Sequence, residues 1–469
     1  MGTKKREFQM PTAYTILLGL LIVVAIITWI IPDVRNATVP DIVMSPVNGF
    51  VSAFDVSLFV MFLGGFLGVV NETGALDNGI AAIVKKLKGK ELLLIPILMI
   101  FFSLGGTTYG MAEETIAFYA LIVATMVAAG FDSLVGVATI MLGAGMGVIG
   151  STVNPFAISA AVDALKSAFP DIEINQTAII VIGATLWVVS LAIAIFFVMR
   201  YATQVKKDTG RSLLTPRERE WMHHTYHGEE EKDEARFTGR MKAVLVVFAI
   251  AFSVMVIGLV PWETFGVTIF NKTSFLTGAN LGEWYFAELQ AWFFLCSIIA
   301  GIAGGMTERR LVKSFVLGAS DMFGVALVIA ISRGISVIMG STGLDMYVLN
   351  KVSALLTNVS PTVFAIGAYI IYIGLSFLIP SSSGLAAASI PTFGGLASQL
   401  GLSPEVMIMI FCAACGLVNL ISPTSGVVMG GLGIAKIEWT TWVKFVLKVL
   451  GVLFVVNLII LCLAMAFLS

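Results

Sequence analysis

The sequence predicts an all-α polytopic membrane protein built as an inverted-topology repeat, with two re-entrant hairpins and two broken helices. Three observations carry that expectation. The 469 residues are 58% hydrophobic and 12% charged, whereas a soluble domain carries roughly 25% charge. Four apolar stretches are interrupted by small polar residues, and the interruptions form two pairs: Ser103–Thr115 with Gly147–Pro155, and Ile379–Leu385 with Asn419–Gly426. The cationic residues also sort to one side once the interrupted stretches are counted as hairpins.

Apolar runs long enough to span, about 20 residues, fall near 12–31, 52–71, 133–150, 178–199, 241–260, 285–304, 322–340, 404–421 and 442–467. Stretches 91–128 and 360–399 are apolar but broken centrally, so each reads as a hairpin that enters and leaves by one side. The first run lacks a small-residue cleavage site and reads as a retained helix. The polar segment 201–240 reads as a cytoplasmic linker, with a helix start at Thr215-Pro-Arg-Glu218.

Placing Lys4, Lys5 and Arg6 inside also puts Lys85, Lys86, Lys88, Lys90, the linker, Arg309, Arg310, Lys313 and Lys436 inside. Only Arg35, Lys166, Lys272 and Lys351 scatter among the outer loops. This satisfies the positive-inside rule. It puts the chain in the cell (inner or plasma) membrane with the N-terminus cytoplasmic and the C-terminus outside. Residues 1–200 form one repeat, with hairpin 91–128 and broken helix 133–165. Segment 241–284 supplies an extra membrane helix and an outer loop, which changes the parity. Residues 285–469, with hairpin 360–399 and broken helix 404–435, therefore enter upside down. Short echoes agree, such as Thr73-Gly-Ala-Leu-Asp77 beside Thr342-Gly-Leu-Asp345. Paired breaks related by inversion mark the binding site of a secondary transporter.

The chemistry at the breaks arises from unpaired backbone. A helix that starts inside the bilayer aims free N–H groups and a partial positive charge at whatever faces it, which suits a carboxylate. Thr107, Thr108, Ser151, Thr152, Ser381, Ser382, Ser383, Thr424 and Ser425 are expected to supply hydroxyls at these starts. The alternative is that they only cap half-helices. Freed carbonyls with Asn154 and Asn419 are candidates to hold sodium, a hard cation that takes oxygen ligands.

Glu113 and Glu114 are acids at membrane depth, where a charge costs roughly 2.5 kcal/mol or more. One could serve as a first-turn cap, but two neighbours point different ways around a helix, so at least one is expected to face the substrate or a coupling cation. Ala387 and Ala388 stand at the comparable place in the second hairpin. Arg333, about midway along 322–340, is expected to bind a substrate carboxylate or to pair with Asp345 or Glu72.

Several classes are disfavoured. A net charge of -1 and the absence of a basic domain exclude nucleic acid as a partner. No phosphate loop of the Gly-x-x-x-x-Gly-Lys-Ser/Thr type occurs. His223, His224 and His227 all fall in the linker, which leaves no membrane-embedded base for an enzyme. Cys412-x-x-Cys415 sits in an apolar run and reads as packing. No cofactor is expected beyond sodium or a proton as coupling ion, and the unbroken spans show no polar stripe for an ion channel.

Met10-Pro-Thr-Ala-Tyr-Thr-Ile16 with Thr28-Trp-Ile-Ile-Pro32, and Gly110-Met-Ala-Glu-Glu-Thr-Ile-Ala-Phe-Tyr119, resemble the DcuC-like C4-dicarboxylate anaerobic carrier family. More narrowly they resemble its YfcC branch, which includes arginine/ornithine antiporters. The resemblance implies an ion-transporter-superfamily fold, with a homodimeric scaffold and a transport domain that moves as an elevator through the lipid bilayer. It also implies a site at Gly105, Gly106, Thr107 and Thr108, at Ser151–Asn154, at Ser381–Ser383 and at Pro423–Ser425, with sodium near Thr107, Ser151, Thr152 and Asn154. The second break departs from the pattern, because Pro423-Thr-Ser425 holds no Asn. The expected substrate is a small carboxylate-bearing metabolite, with a basic amino acid favoured. The alternative is sodium- or proton-coupled carriage of a dicarboxylate, another carboxylate or a peptide-like molecule.

Overall fold

The computed structural model describes residues 13–76, 78–79, 90–112, 115–226, 238–259, 262–356 and 359–468. All regular structure among them is helical. Glu113, Glu114, Asp77, Lys85, Lys86, Lys88 and His227 lie outside the described residues. In chain order the helices are α1 (Ala13–Ile30), α2 (Val39–Ser52), α3 (Phe54–Glu72), α4 (Leu94–Tyr109), α5 (Ile116–Ala128), α6 (Ser133–Ile149), α7 (Ala160–Ala168), α8 (Gln176–Lys207) and α9 (Pro216–Tyr226). They continue as α10 (Gly239–Leu259), α11 (Phe286–Ala303), α12 (Glu308–Thr342), α13 (Leu344–Ser353), α14 (Pro361–Leu378), α15 (Ser382–Gln399), α16 (Pro404–Val418), α17 (Gly426–Ala435) and α18 (Trp439–Leu468). Eight described helices are long and apolar enough to cross a membrane, so this is a multi-pass membrane protein.

Two helix groups emerge from the packing. In the flanking group α12 lies along α1, α2 and α3, and α11 lies between α3 and α10. In the hairpin group, α4 and α5 both pack on α6, while α14 and α15 both pack on α16. The arms of each hairpin thus meet chiefly through the first half of a broken helix. The second halves are exchanged: α7 packs on α15 and α17 on α5. The first halves, α6 and α16, meet at the centre, flanked by α8 and α18.

The short helices explain themselves by length. At 1.5 Å per residue, α5 and α17 are about 20 and 15 Å long, well short of a hydrocarbon core of about 30 Å. Each therefore begins at depth. Local signals fix their ends. Ser381 and Ser425 accept hydrogen bonds from Gly384 and Val428 N–H, as N-caps. Gly110, at φ 78°, ends α4 in the left-handed region that glycine tolerates.

Three expectations need correction. The run at 322–340 is the last part of a 35-residue helix, α12. Its charged first half, with Arg309, Arg310 and Lys313, reads as loop in the sequence but continues the helix. Helix α2 was not expected; Thr38 and Asp41 form a capping box at its start. The linker is also more than a solvated connection. The helix start at Thr215 is realised as α9, where Glu218 accepts from Thr215 N–H at 2.6 Å. Glu218 is then buried against α18, accepting from Glu438 N–H and the Thr441 hydroxyl. Upstream, Asp132 accepts from the Tyr201 and Ser212 hydroxyls at 2.7 and 2.6 Å. Residues 208–226 are thus strapped to the hairpin group.

Candidate functional site

Four half-helix starts converge on one cavity of about 170 Å³. Its lining takes Gly110–Ala112 and Thr115 from the first hairpin and Asn154 and Phe156 from the first broken helix. Pro380–Ser383 come from the second hairpin, and Asn419 and Thr424–Val427 from the second broken helix. The helix starts at Ile116, Pro155, Ser382 and Gly426 therefore stand around a common space, each adding a partial positive end.

The two breaks share a detail that their sequences hide. Asn154, just before Pro155, accepts from Phe156 N–H at 2.9 Å. Ser422, just before Pro423, accepts from Thr424 N–H at 3.2 Å. Either side chain occupies the lone N–H two residues on, so a serine does in the second break what an asparagine does in the first. The expected sites also cross-link in parallel. The Thr152 hydroxyl donates to Thr107 O at 3.0 Å, tying broken helix to hairpin. The Thr424 hydroxyl donates to Phe377 O at 3.3 Å in the other repeat.

The sequence places some hydroxyls wrongly. Gly105, Gly106, Thr107 and Thr108 do not open a helix start; they form the last turn of α4, and the chain turns one residue past it, at Gly110. A Cβ on Gly106 would run into Ala144 O, and one on Gly147 into Ser103 O. These glycines let α4 and α6 cross backbone to backbone, which is why a glycine-threonine cluster reads as a break. Gly105 O accepts from Met111 N–H at 3.2 Å, and the Thr108 hydroxyl donates back to Leu104 O. The Thr107 hydroxyl donates to Gly150 O at 2.7 Å. Ser151 is buried, donates to Val148 O and accepts from Asn154 Nδ2. Thr107, Ser151, Thr152 and Asn154 thus form a hard-oxygen cluster just behind the cavity, whose chemistry fits a sodium ion. Pro423 is buried beside the lining.

Arg333 projects into the lining from α12. Glu72 is bound instead to Arg310, at 2.8 Å, and Asp345 accepts from Met346 N–H. Among the described residues Arg333 has no acidic partner. It lies about midway along 322–340, as the sequence places it, but in the last third of α12, because that helix starts at Glu308. The aromatic pair Phe156 and Tyr285, with ring centroids 5.3 Å apart, lines the same space and was not anticipated. Its only sequence signal is position, one ring just past a break and one just before a helix. Cys412 and Cys415 are buried packing residues, as expected, with Cys415 Sγ accepting from Asn419 Nδ2.

A family model described as DcuC, C4-dicarboxylate anaerobic carrier, matches residues 34–466. The chain belongs to the DcuC family. DcuC proteins are carriers, so this is a membrane transporter and not an enzyme. Among individual proteins, the chain is 28% identical to an uncharacterised protein of Haemophilus influenzae, over 98% of this chain and 97% of that one. It is 29% identical to Escherichia coli YfcC, described as a putative basic amino acid antiporter, over 90% and 80%. Among solved structures it is similar to Neisseria gonorrhoeae MtrF, from work on a class of antimetabolite efflux pumps, at 18% identity and TM-score 0.43, covering 98% and 96%. It is also similar to the Alcanivorax borkumensis YdaH transporter, at 14% and 0.45, covering 97% and 99%. The DcuC assignment stands on the family match.

Proposed function

We propose that the chain is a secondary active transporter of a small carboxylate-bearing metabolite, working by elevator-type alternating access, with arginine/ornithine-like exchange favoured. One observation supports this above all. Four helix N-termini and an arginine without an acidic partner among the described residues surround one cavity, an arrangement matched to a carboxylate. In this reading Ser381–Ser383, Thr424, Ser425 and Arg333 hold the carboxylate. Glu113 or Glu114, which follow the lining residue Ala112 in sequence, would pair with the cationic end. The similarity to Escherichia coli YfcC, described as a basic amino acid antiporter, supports a basic amino acid.

The second reading is a C4-dicarboxylate, supported by the family's description and by Arg333, with the Glu pair taking sodium or a proton. In either case sodium would be held by Thr107, Ser151, Thr152 and Asn154. The flanking group would form the fixed, dimeric scaffold, with residues 1–200 and 285–469 as the inverted repeats.

Proteoliposomes loaded with unlabelled arginine, ornithine or succinate test the choice. Exchange of labelled arginine for ornithine without succinate flux is expected. Succinate flux without that exchange overturns the favoured substrate, and no flux of any of the three sinks the site. Glu113→Gln and Glu114→Gln should impair the cationic substrate while leaving folding intact.

A further inference from the structure

The cavity is not built by one set of helices. Gly110, Asn154, Ser381 and Ser425 belong to the hairpin group, whereas Ile329 and Arg333 come from α12. Val325, Ile329 and Arg333 recur every fourth residue, so they form one ridge of that helix. A Cβ on Gly430 would stand 2.8 Å from Val325 Cγ1, and one on Gly426 2.6 Å from Ile329 Cγ1. The ridge therefore rests on a glycine groove of α17, and Arg333, its next step, reaches the cavity.

The depth of Arg333 in the membrane sets when it can act. Arg333 lies about 37 Å from the start of α12 and about 13 Å from its end. With Arg309 and Arg310 in the cytoplasm, that is the outer third. The flanking helices α3 and α12 touch the hairpin group chiefly through α5 and α17. Both of these run from the cavity toward the linker side: Ala129 O, past the end of α5, accepts from Lys206 Nζ at the end of α8, and Glu438 N–H, past the end of α17, donates to Glu218 of the docked linker. The groups thus meet through the cytoplasmic half of the hairpin group, which holds the cavity level with the outer part of α12. The Phe156–Tyr285 ring contact spans the same boundary.

We propose that Arg333 contacts the substrate carboxylate only while the cavity faces outward, so that different residue sets fix the affinity at the two membrane faces. This rests on the elevator reading of the transporter. The four helix starts travel with the substrate. Arg333 stays on α12, whose backbone is locked to α3. Arrival at the cytoplasmic face then costs the substrate one charge-assisted contact and favours its release.

The test uses the full chain in right-side-out and inverted vesicles, with half-saturating concentrations of labelled arginine and succinate measured at each face. Arg333→Gln should raise that concentration by about tenfold or more at the outer face and leave the cytoplasmic face unchanged. Arg333→Lys, which keeps the charge, should lose less, and gives the same comparison if the glutamine variant is poorly recovered. Equal losses at both faces, a loss confined to the cytoplasmic face, or no loss overturns the proposal. Absence of arginine and succinate flux in the wild type instead overturns the proposed substrates on which this inference rests.

Discussion

Two of the glycine-lined crossings that helix α12 makes, with α3 and with α17, are opposite in kind. Against α3, Gly64, Gly68 and Gly318 meet backbone, while Gly65 meets the Phe315 ring. A Cβ on Gly68 would lie 2.5 Å from Ser314 O, one on Gly64 2.6 Å from Gly318 O, and one on Gly318 would overlap Gly64 O. Against α17 the glycines face the ends of side chains, Val325 and Ile329. Small residues let membrane helices approach closely. Backbone against backbone fixes a register, whereas a branched side chain over a glycine groove can move to the next step. On the elevator reading, the same residue type thus builds a lock on one side of a helix and a track on the other.

The contrast breaks if the lock proves soft. Gly318→Leu should cost more than about 3 kcal/mol, because α3 cannot retreat without leaving its other contacts. Loss of the monodisperse peak after detergent extraction is the expected readout; a normal peak and melting temperature would refute the lock.

The hairpin group has a lock of its own, polar rather than steric, and it should be weaker. Asp132→Ala strands the Val135 N–H and the Tyr201 and Ser212 hydroxyls, at about 2 kcal/mol. The linker should then be cut more readily by protease. Burial raises the Asp132 carboxyl above its ordinary range, against the lowering effects of Ser212, Tyr201, Val135 N–H and the Arg219 charge. A raised folded value means that the protonated form carries the stability, which is present at low pH and lost as pH rises through the raised value. Relative to Asp132→Asn, the wild type should therefore lose melting temperature as pH rises above about 4, the ordinary carboxylate value. A relative gain over that range would reverse the sign.

The smallest expected effect falls on the track. Gly430→Ala should change stability by under about 1 kcal/mol, because helix propensity offsets a shift of Val325. Transport should slow all the same, which vesicle flux at saturating substrate would read. Unchanged flux would mean that α12 and α17 do not slide.

The breaks were legible because only a satisfied interior site tolerates Gly, Pro and Ser in the middle of apolar runs. Their pairing was legible too, since hairpins and broken helices fall where the parity of charge demands. What stayed hidden was the use to which each small residue is put. Gly105–Thr108 and Pro380–Ser383 look alike in sequence, yet one ends a helix and the other starts one. The difference lies in what packs against them: Gly106 meets the backbone of α6, whereas Ser381 finds only its own helix start. Arg333 was visible as a membrane arginine, but its depth was not, because the polar first half of α12 concealed the length of the helix.

The docking of α9 has a mechanical consequence. With α9 already fixed to the hairpin group, the described helices change group three times along the chain: between α3 and α4, between α9 and α10, and between α12 and α14. On the elevator reading, relative travel of the two groups would be accommodated by these three connections. The middle one has twelve residues, a contour length of about 40 Å, far less than the forty residues of the polar segment would suggest. If the groups move as the elevator reading proposes, shortening it by a few residues at a time should shorten the stroke before it unfolds anything, which would make the linker a ruler for that motion.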